Sequence, residues 1–341
     1  MAFVLSLVIS VLLTPVVKKL AYKIGAMDQL DPRKVHTVEM PRLGGLAIYI
    51  SFISGFLIFS PQHPYVLPIV VASSIIVITG MLDDIRGLSP KTKLLMQIVS
   101  AVIVIASGVH IDFINLPFGD PLDLGYLSIP FSLLWVVGIT NAINLIDGLD
   151  GLAAGISSIA LLTISCLAIL MGNSFVTLIS FLLLGGTVGF LFYNFYPAKI
   201  FMGDTGSLFL GFMLAVISML GFKHVTLFSF IVPIMVLGVP ISDTLFAMVR
   251  RAMQKKPLFE ADKAHLHHGL FRLGFSHPET VLLMYAISAV FSLAAVILSQ
   301  AQMWGSIIVI ALFILMIELM VEITGLLGLQ YRPILNLFRK Q

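Results

Sequence analysis

Residues 152–171 read LAAGISSIALLTISCLAILM, an apolar run without a single charged side chain. A helix needs about 20 residues to cross the hydrocarbon of a bilayer. Working outward, the same pattern recurs at about 3–20, 44–60, 66–82, 94–110, 127–143, 175–193, 207–222, 226–248, 281–300 and 304–325. That predicts about eleven transmembrane spans, with ends placed to about 2–4 residues. The runs are continuously apolar rather than alternating, and inside lipid every backbone N–H and C=O must be satisfied by the segment itself. The spans are therefore expected as helices. Hydrophobic residues make up 59% of the 341 and charged residues 11%, which excludes an ordinary soluble domain. The expected fold class is an all-α integral membrane protein with one polytopic domain over 1–341.

The basic residues orient it. With eleven crossings and the N-terminus outside, the inner segments hold 19 of the 20 Lys and Arg, and only Lys223 falls outside. Positive charge resists translocation, so the inner side is read as cytoplasmic, with the C-terminus there too. The first run is followed by Lys18 and Lys19 and not by small residues, so it reads as a span and not as a cleaved leader. The net charge of +3 comes from juxtamembrane residues suited to headgroups or phosphates, and no nucleic-acid partner is expected. The single Cys166 lies within a span, which excludes a disulfide framework or a Cys-based metal site.

The outer connections are short. The longest, 109–126, carries Asp112, Asp120 and Asp123 and is expected to be a small loop or hairpin. The inner connections, 21–43, 83–93, 144–151, 194–206 and 249–280, hold nearly all the ionisable side chains. An anchor needs no such collection. An enzyme that joins a water-soluble substrate to a lipid does.

Each inner loop offers chemistry. The first contains Lys34 and His36, then Pro41-Arg42-Leu43-Gly44-Gly45, where cations beside a turn suit either phosphate oxygens or membrane anchoring. The second has the adjacent acids Asp83 and Asp84, followed by Lys93. Paired acids at a membrane boundary are costly unless paired, hydrated or metal-bound. They can hold a cation, or one can raise the other's pKa so that it serves as a base. In the third, Asn141, Asn144, Asp147 and Asp150 recur every three residues, a spacing that puts them toward one side of a helical end. Their hard oxygens suit Mg²⁺. In the fourth, Asn194 precedes Phe201-Met202-Gly203-Asp204-Thr205-Gly206-Ser207, where a helix start would favour a pyrophosphate. The fifth has His265, His267 and His268 behind Asp262 and Lys263. This cluster suits a diphosphate or proton handling. Zinc is the rival, but no Cys or HExxH pattern accompanies it. Asp243, soon after Pro240, either lines the site or partners a helix break. Glu318 and Glu322 fit interfacial snorkelling better than a proton route.

Taken in order, Pro41 to Gly45, Asp83-Asp84, Asn141 to Gly151, Phe201 to Ser207 and His265/His267/His268 resemble the polyprenyl-phosphate N-acetylhexosamine-1-phosphate transferases, over essentially the whole chain. The resemblance implies transfer of a sugar 1-phosphate from a UDP-sugar to undecaprenyl phosphate at the cytoplasmic face of a bacterial cell membrane, with release of UMP. It implies Mg²⁺, with Mn²⁺ as a substitute, held by Asp204 and secondly by Asn144. It implies Asp83 next to the lipid phosphate, with Asp84 as its support and Lys93 as a phosphate contact. Asn194, Phe201 and Asp147 resemble its uridine group, and the histidines its diphosphate and sugar contacts. A homodimer is compatible with it.

Family members that take the muropeptide donor have a third contiguous histidine followed by an acid. Here the stretch is His265-Leu266-His267-His268-Gly269-Leu270, which looks like the branch using UDP-N-acetylglucosamine. Within that branch the loop most resembles enzymes that begin wall teichoic acid linkage units. The alternatives are a phospho-MurNAc-pentapeptide transferase and, from another class, a secondary transporter, whose polar residues would sit near the bilayer midplane.

Overall fold

The computed structural model describes residues 1–28, 39–114, 122–222, 230–255, 265–328 and 330–339. Over these residues the chain is helical almost throughout. The elements are α1 (Ala2–Ile24), α2 (Gly45–Phe59), α3 (Val66–Arg86), α4 (Pro90–Ala106), α5 (Ser128–Ile146), α6 (Leu152–Leu170), α7 (Ser174–Asn194), α8 (Gly203–Phe222), α9 (Ile231–Val236), α10 (Gly238–Met253), α11 (Leu266–Arg272), α12 (His277–Gln300), α13 (Met303–Thr324) and α14 (Pro333–Arg339). Two antiparallel pairs of two-residue strands complete it. β1 (Met27–Asp28) pairs with β2 (Met40–Pro41), and β3 (Phe113–Ile114) with β4 (Leu122–Asp123). The second pair lies within 109–126, the stretch expected to be a small loop or hairpin.

Among the described residues, eight helices are long and apolar enough to cross a membrane: α1, α3, α5 with its preceding turn, α6, α7, α8, α12 and α13. The protein is thus all-α and multi-pass. The described residues of the expected spans are largely helical, but in the span expected over 226–248 the described part, from 230 on, is interrupted where α9 and α10 meet at Leu237. Pro233 and Pro240 bracket that junction, and neither can donate to a helical ladder.

The centre of the bundle is α8, whose spanning window is 94% buried, against 22% for α1 and 28% for α13 at the periphery. Close approach at the centre depends on glycine, as is usual between helices in lipid. A Cβ on Gly45 would overlap the Gly206 backbone, one on Gly80 would lie 2.5 Å from the Thr205 Cα, and one on Gly211 2.7 Å from the Thr140 Cα. Buried hydroxyls return to the helix's own carbonyls. Thr140 Oγ1 donates to Val136 O at 2.6 Å and Thr187 Oγ1 to Leu183 O at 2.8 Å. These hydroxyls are thereby satisfied without water, whereas the buried hydroxyls of Ser100, Ser157, Ser180, Ser288 and Ser292 make no hydrogen bond among the described residues.

The polar helix ends converge. The start of α2, the end of α3, the starts of α4 and α8 and the end of α5 are tied together by side-chain hydrogen bonds at one end of the bundle.

Candidate active site

The site begins where the Arg42 loop lies along the start of α8. Phe201 N donates to Pro41 O at 2.8 Å, Gly44 N to Phe201 O at 2.9 Å and Gly45 N to Met202 O at 2.9 Å. This strap fixes Arg42 over a cluster of acids. Its guanidinium reaches Asp84 at 3.0 Å, Asp28 at 3.2 Å and Asp204 at 3.5 Å. Burial works against the charge, but Asp84, Asp204, Asp28 and Asp83 outweigh it and the Arg42 pKa is raised.

Asp84 does not face the cavity. Its Oδ1 accepts from the Asp204 backbone N–H at 2.9 Å, and its Oδ2 accepts from the Thr205 N–H at 3.0 Å and hydroxyl at 2.6 Å. It caps α8 from α3, satisfying N–H groups that a helix start leaves without intrahelical partners. Gly203, at φ +71°, is needed at this turn, because a Cβ there would run into the Asp84 carboxylate.

Asp83 turns the other way. Its Oδ1 accepts from Leu88 N at 2.7 Å, and its Oδ2 pairs with Lys93 at 3.3 Å. Lys93 also reaches Asp204 at 2.9 Å. Burial opposes the ammonium charge, yet Asp204 and Asp83 keep the Lys93 pKa raised. Lys93 therefore links the acid at the end of α3 to the acid at the start of α8.

Asp204 opens onto a cavity of about 450 Å³ that is also lined by Arg42, Asn144, Asp147, Asp150, Asn194, Phe201 and the three histidines. Asn144 Nδ2 donates to Ser207 Oγ at 2.7 Å, anchoring the end of α5 to α8. Asp147 is partly exposed to the cavity. Its carboxyl is pushed up to about 8, first by burial and then by the charge of Asp204, against the pull of Arg42. Four acids, Asp28, Asp83, Asp84 and Asp204, gather here around two cations, Arg42 and Lys93. That is an environment a bound cation would relieve. Among the described residues no three His, Cys, Asp or Glu side chains form a cage for a metal. A cation here would be held by few protein oxygens, completed by water and phosphate. This is the usual manner of Mg²⁺, and the residues present fit it.

The loop between α5 and α6 is held from outside. Asn194 Oδ1 accepts from Gly151 N at 3.1 Å and its Nδ2 donates to Ile200 O at 3.0 Å, so its amide is engaged on both sides. Asp150 Oδ2 accepts from Ala198 N at 2.9 Å, and His277 Nε2 accepts from Asp150 N at 3.1 Å. Tyr285 donates its hydroxyl to Gly151 O at 2.5 Å.

The histidines form the opposite wall. His265 and His267 are parallel rings 5.9 Å apart, and His268 lies 4.2 Å from His267. His267 packs over Gly148, where a Cβ would meet its ring at 3.3 Å. His267 is 4% exposed and its Nδ1 has no partner. Burial, then the neighbouring His268, lowers its pKa to about 3, so its ring is neutral at pH 7.

Most of the candidates from the sequence converge here, but Asn141 does not. Its Nδ2 donates to Gln97 Oε1 at 2.7 Å and to Val137 O at 2.8 Å, which makes it a tie between α4 and α5. Lys34 and His36, with Asp262 and Lys263, lie outside the described residues. Sequence reasoning missed Asp28 and Gln97, which no motif marks. It left Asp243 undecided. Asp243 pairs with His265 at 2.8 Å.

Residues 66–222 match the sequence model of Glycosyl transferase family 4. Over 99% of its length the chain is 46% identical to the probable undecaprenyl-phosphate N-acetylglucosaminyl 1-phosphate transferase of Bacillus subtilis, covering 96% of that protein. It is 35% identical to the decaprenyl-phosphate N-acetylglucosaminephosphotransferase of Mycolicibacterium smegmatis, over 89% of this chain and 84% of the relative. It is 33% identical to the phospho-N-acetylmuramoyl-pentapeptide-transferase of Staphylococcus carnosus, over 79% of this chain and 88% of the relative. An all-helical membrane bundle, acids and cations gathered at one end of it, and this degree of identity agree: the chain belongs to glycosyl transferase family 4, among the polyprenyl-phosphate N-acetylhexosamine-1-phosphate transferases.

Proposed function

We propose that the chain transfers N-acetylglucosamine 1-phosphate from UDP-N-acetylglucosamine to undecaprenyl phosphate. The products are UMP and undecaprenyl-diphospho-N-acetylglucosamine, the first intermediate of a cell-wall glycopolymer such as teichoic acid. The observation that carries this reading is the 46% identity over 99% of the chain to a relative named for that transfer. The geometry supports it. Phosphoryl transfer needs positioning and charge neutralisation more than covalent chemistry, and the site offers both.

The cavity would take the donor. Phe201 offers a ring for the uracil base, with Asp147 on the same wall. His265, His267 and His268 face the diphosphate and sugar. Asn194 and Asp150 shape this pocket through the backbone they hold. Asp204, with Asn144 beside it, would hold Mg²⁺, or Mn²⁺ in its place, which when bound neutralises the diphosphate and the departing UMP. Asp83 and Lys93 receive the lipid phosphate at the membrane boundary. Lys93 positions it, and Asp83 orients it or removes its last proton for direct attack on the donor phosphorus. Arg42 and Asp84 keep Asp204 in place. Eleven crossings, an outer N-terminus and a cytoplasmic site remain part of this reading, supported by the one-sided distribution of Lys and Arg.

The test is incubation of the purified protein with labelled UDP-N-acetylglucosamine, undecaprenyl phosphate and Mg²⁺. UMP and a lipid-linked sugar are expected in equal amounts. A transporter would release no UMP. In a parallel arm UDP-MurNAc-pentapeptide is expected to react on the order of 10²-fold more slowly or worse, since a site without contacts for the lactyl-peptide loses binding energy. Equal rates from the two donors would overturn the choice of sugar and leave the phosphotransferase reading standing.

A further inference from the structure

We propose that Asp243 is a positioning residue that fixes the proton on Nδ1 of His265, so that Nε2 of this histidine faces the donor sugar as a hydrogen-bond acceptor. This rests on the reading of His265 as part of the donor site. Asp243 lies on α10, fully buried. Its two oxygens are used separately. Oδ2 meets His265 Nδ1 at 2.8 Å, and Oδ1 accepts from the Leu266 N–H at 2.6 Å. The second bond caps α11. It also prevents the carboxylate from turning away from the ring.

An ionised carboxylate only accepts hydrogen bonds, so Nδ1 of His265 must carry a proton. Nε2 is then the ring's free atom, on a residue that lines the cavity. With its proton on Nδ1, the ring presents Nε2 as an acceptor, which suits a hydroxyl of the donor sugar. Among the described residues, His267 and His268 on α11 and His277 at the start of α12 are ionisable groups of the same cluster. His267 is held neutral by its burial. His265 has a buried carboxylate, Asp243, against its ring.

Capping alone is the competing account, and Asp243→Asn separates the two. An asparagine Oδ1 still accepts from Leu266 N–H, so the cap survives. Its Nδ2 donates, which forces Nδ1 of His265 to accept and moves the ring proton to Nε2. The fold is kept while the tautomer is reversed and the carboxylate charge removed. Turnover of UDP-N-acetylglucosamine is expected to fall roughly 10²-fold, the order seen or exceeded when an orienting carboxylate is replaced by its amide. The thermal midpoint should move little.

The decisive measurement is a double-mutant cycle with His265→Gln, whose amide keeps an acceptor near the Nε2 position but loses the link to Asp243. In that background Asp243→Asn is expected to change turnover less than about twofold, because two residues acting through one contact are not additive. Full multiplication of the two losses would overturn the Asp243 proposal alone. A fully active His265→Gln protein would overturn it together with the donor-site role of His265. If Asp243→Asn does not fold, ¹⁵N-histidine spectra of the unsubstituted protein decide, with His265 assigned by its loss in His265→Gln. A protonated Nδ1 is expected. An Nε2–H tautomer with bare Nδ1 would overturn the proposal.

Discussion

Asp84 holds Thr205 at two points: Oδ2 of the carboxylate accepts both the Thr205 N–H at 3.0 Å and its hydroxyl at 2.6 Å. The clamp joins the end of α3 to the start of α8 and carries Asp204 with it, since Asp204 N–H donates to Asp84 Oδ1. Asp84→Ala would leave three buried donors and part of the Arg42 charge without a partner. Each such group costs about 1–3 kcal/mol. The variant is expected to lose both activity and several kcal/mol of stability, read as a large drop in the thermal midpoint in detergent. Asp83→Ala, whose partners are Leu88 N–H, Lys93 and the Asp204 carboxyl, should lose turnover with a much smaller change in midpoint. Equal midpoints for Asp84→Ala and the unsubstituted protein would remove the clamp role.

Lys93 joins two carboxylates that would otherwise face each other, Asp83 at 3.3 Å and Asp204 at 2.9 Å. Lys93→Met is expected to lower turnover on the order of 10²-fold, the scale for removing a preorganised charge beside the reacting group. The KM for undecaprenyl phosphate should rise more than the KM for UDP-N-acetylglucosamine, because Lys93 stands on the Asp83 side of Asp204. The wall left behind is more negative, so half-maximal rate should need less Mg²⁺. An increased Mg²⁺ requirement would contradict the placement of Lys93 between acids.

The reach of sequence reasoning follows from what a linear pattern can encode. Charges in hydrocarbon are too costly to be scattered, so the ends of the spans, and with them the site, could be read from where ionisable residues stop. Direction could not. Asp83 and Asp84 read as one pair, yet neighbours on a helix point about 100° apart. One reaches Lys93 and the other is sunk into α8. Asn141 shares a three-residue spacing with Asn144, but its amide is taken by Gln97, 44 residues away in sequence and adjacent only through the packing of α4 on α5. The sequence leaves a break near Pro240 open, but its place at Leu237 is not legible, because apolar residues continue through Pro233 and Pro240 on both sides of it. Asp28 belongs to no motif and comes to Arg42 through the pairing of β1 with β2.

His267 makes the fold sensitive to acid. In the unfolded chain its imidazole takes a proton near the ordinary 6.5, while in the folded protein burial lowers the value to about 3. The unfolded state therefore binds more protons between these limits. This contribution is fully present above 6.5 and is lost as the pH falls toward 3. At pH 5 the loss is roughly 2 kcal/mol. His267→Gln carries no such titration. Its thermal midpoint should fall less between pH 7.5 and pH 5 than that of the unsubstituted protein. Identical pH slopes would show that His267 is protonated in the folded state.

Helix approach at the centre can be tested without touching a polar side chain. Gly80 lies on α3 where it crosses the start of α8, and an added Cβ would come within 2.5 Å of the Thr205 Cα and N and 2.6 Å of the Asp204 carbonyl oxygen. These are backbone atoms and cannot swing aside. Gly80→Ala must therefore push α3 off α8, and that shift would lengthen the Asp84 bonds that set Asp204. Overpacking of this kind costs about 1–3 kcal/mol, occasionally more. A displacement of this order at the reacting groups can lower the rate by about 10²-fold. Gly138, on α5, is the matched control, since a Cβ there meets nothing within 4 Å and its backbone is helical. Gly138→Ala should leave turnover unchanged and the stability within about 1 kcal/mol, on the favourable side if helix propensity is felt at this exposed position. Turnover and thermal midpoint measured for both variants separate the effects. If Gly80→Ala retains full turnover, α3 and α8 do not meet backbone to backbone at the site.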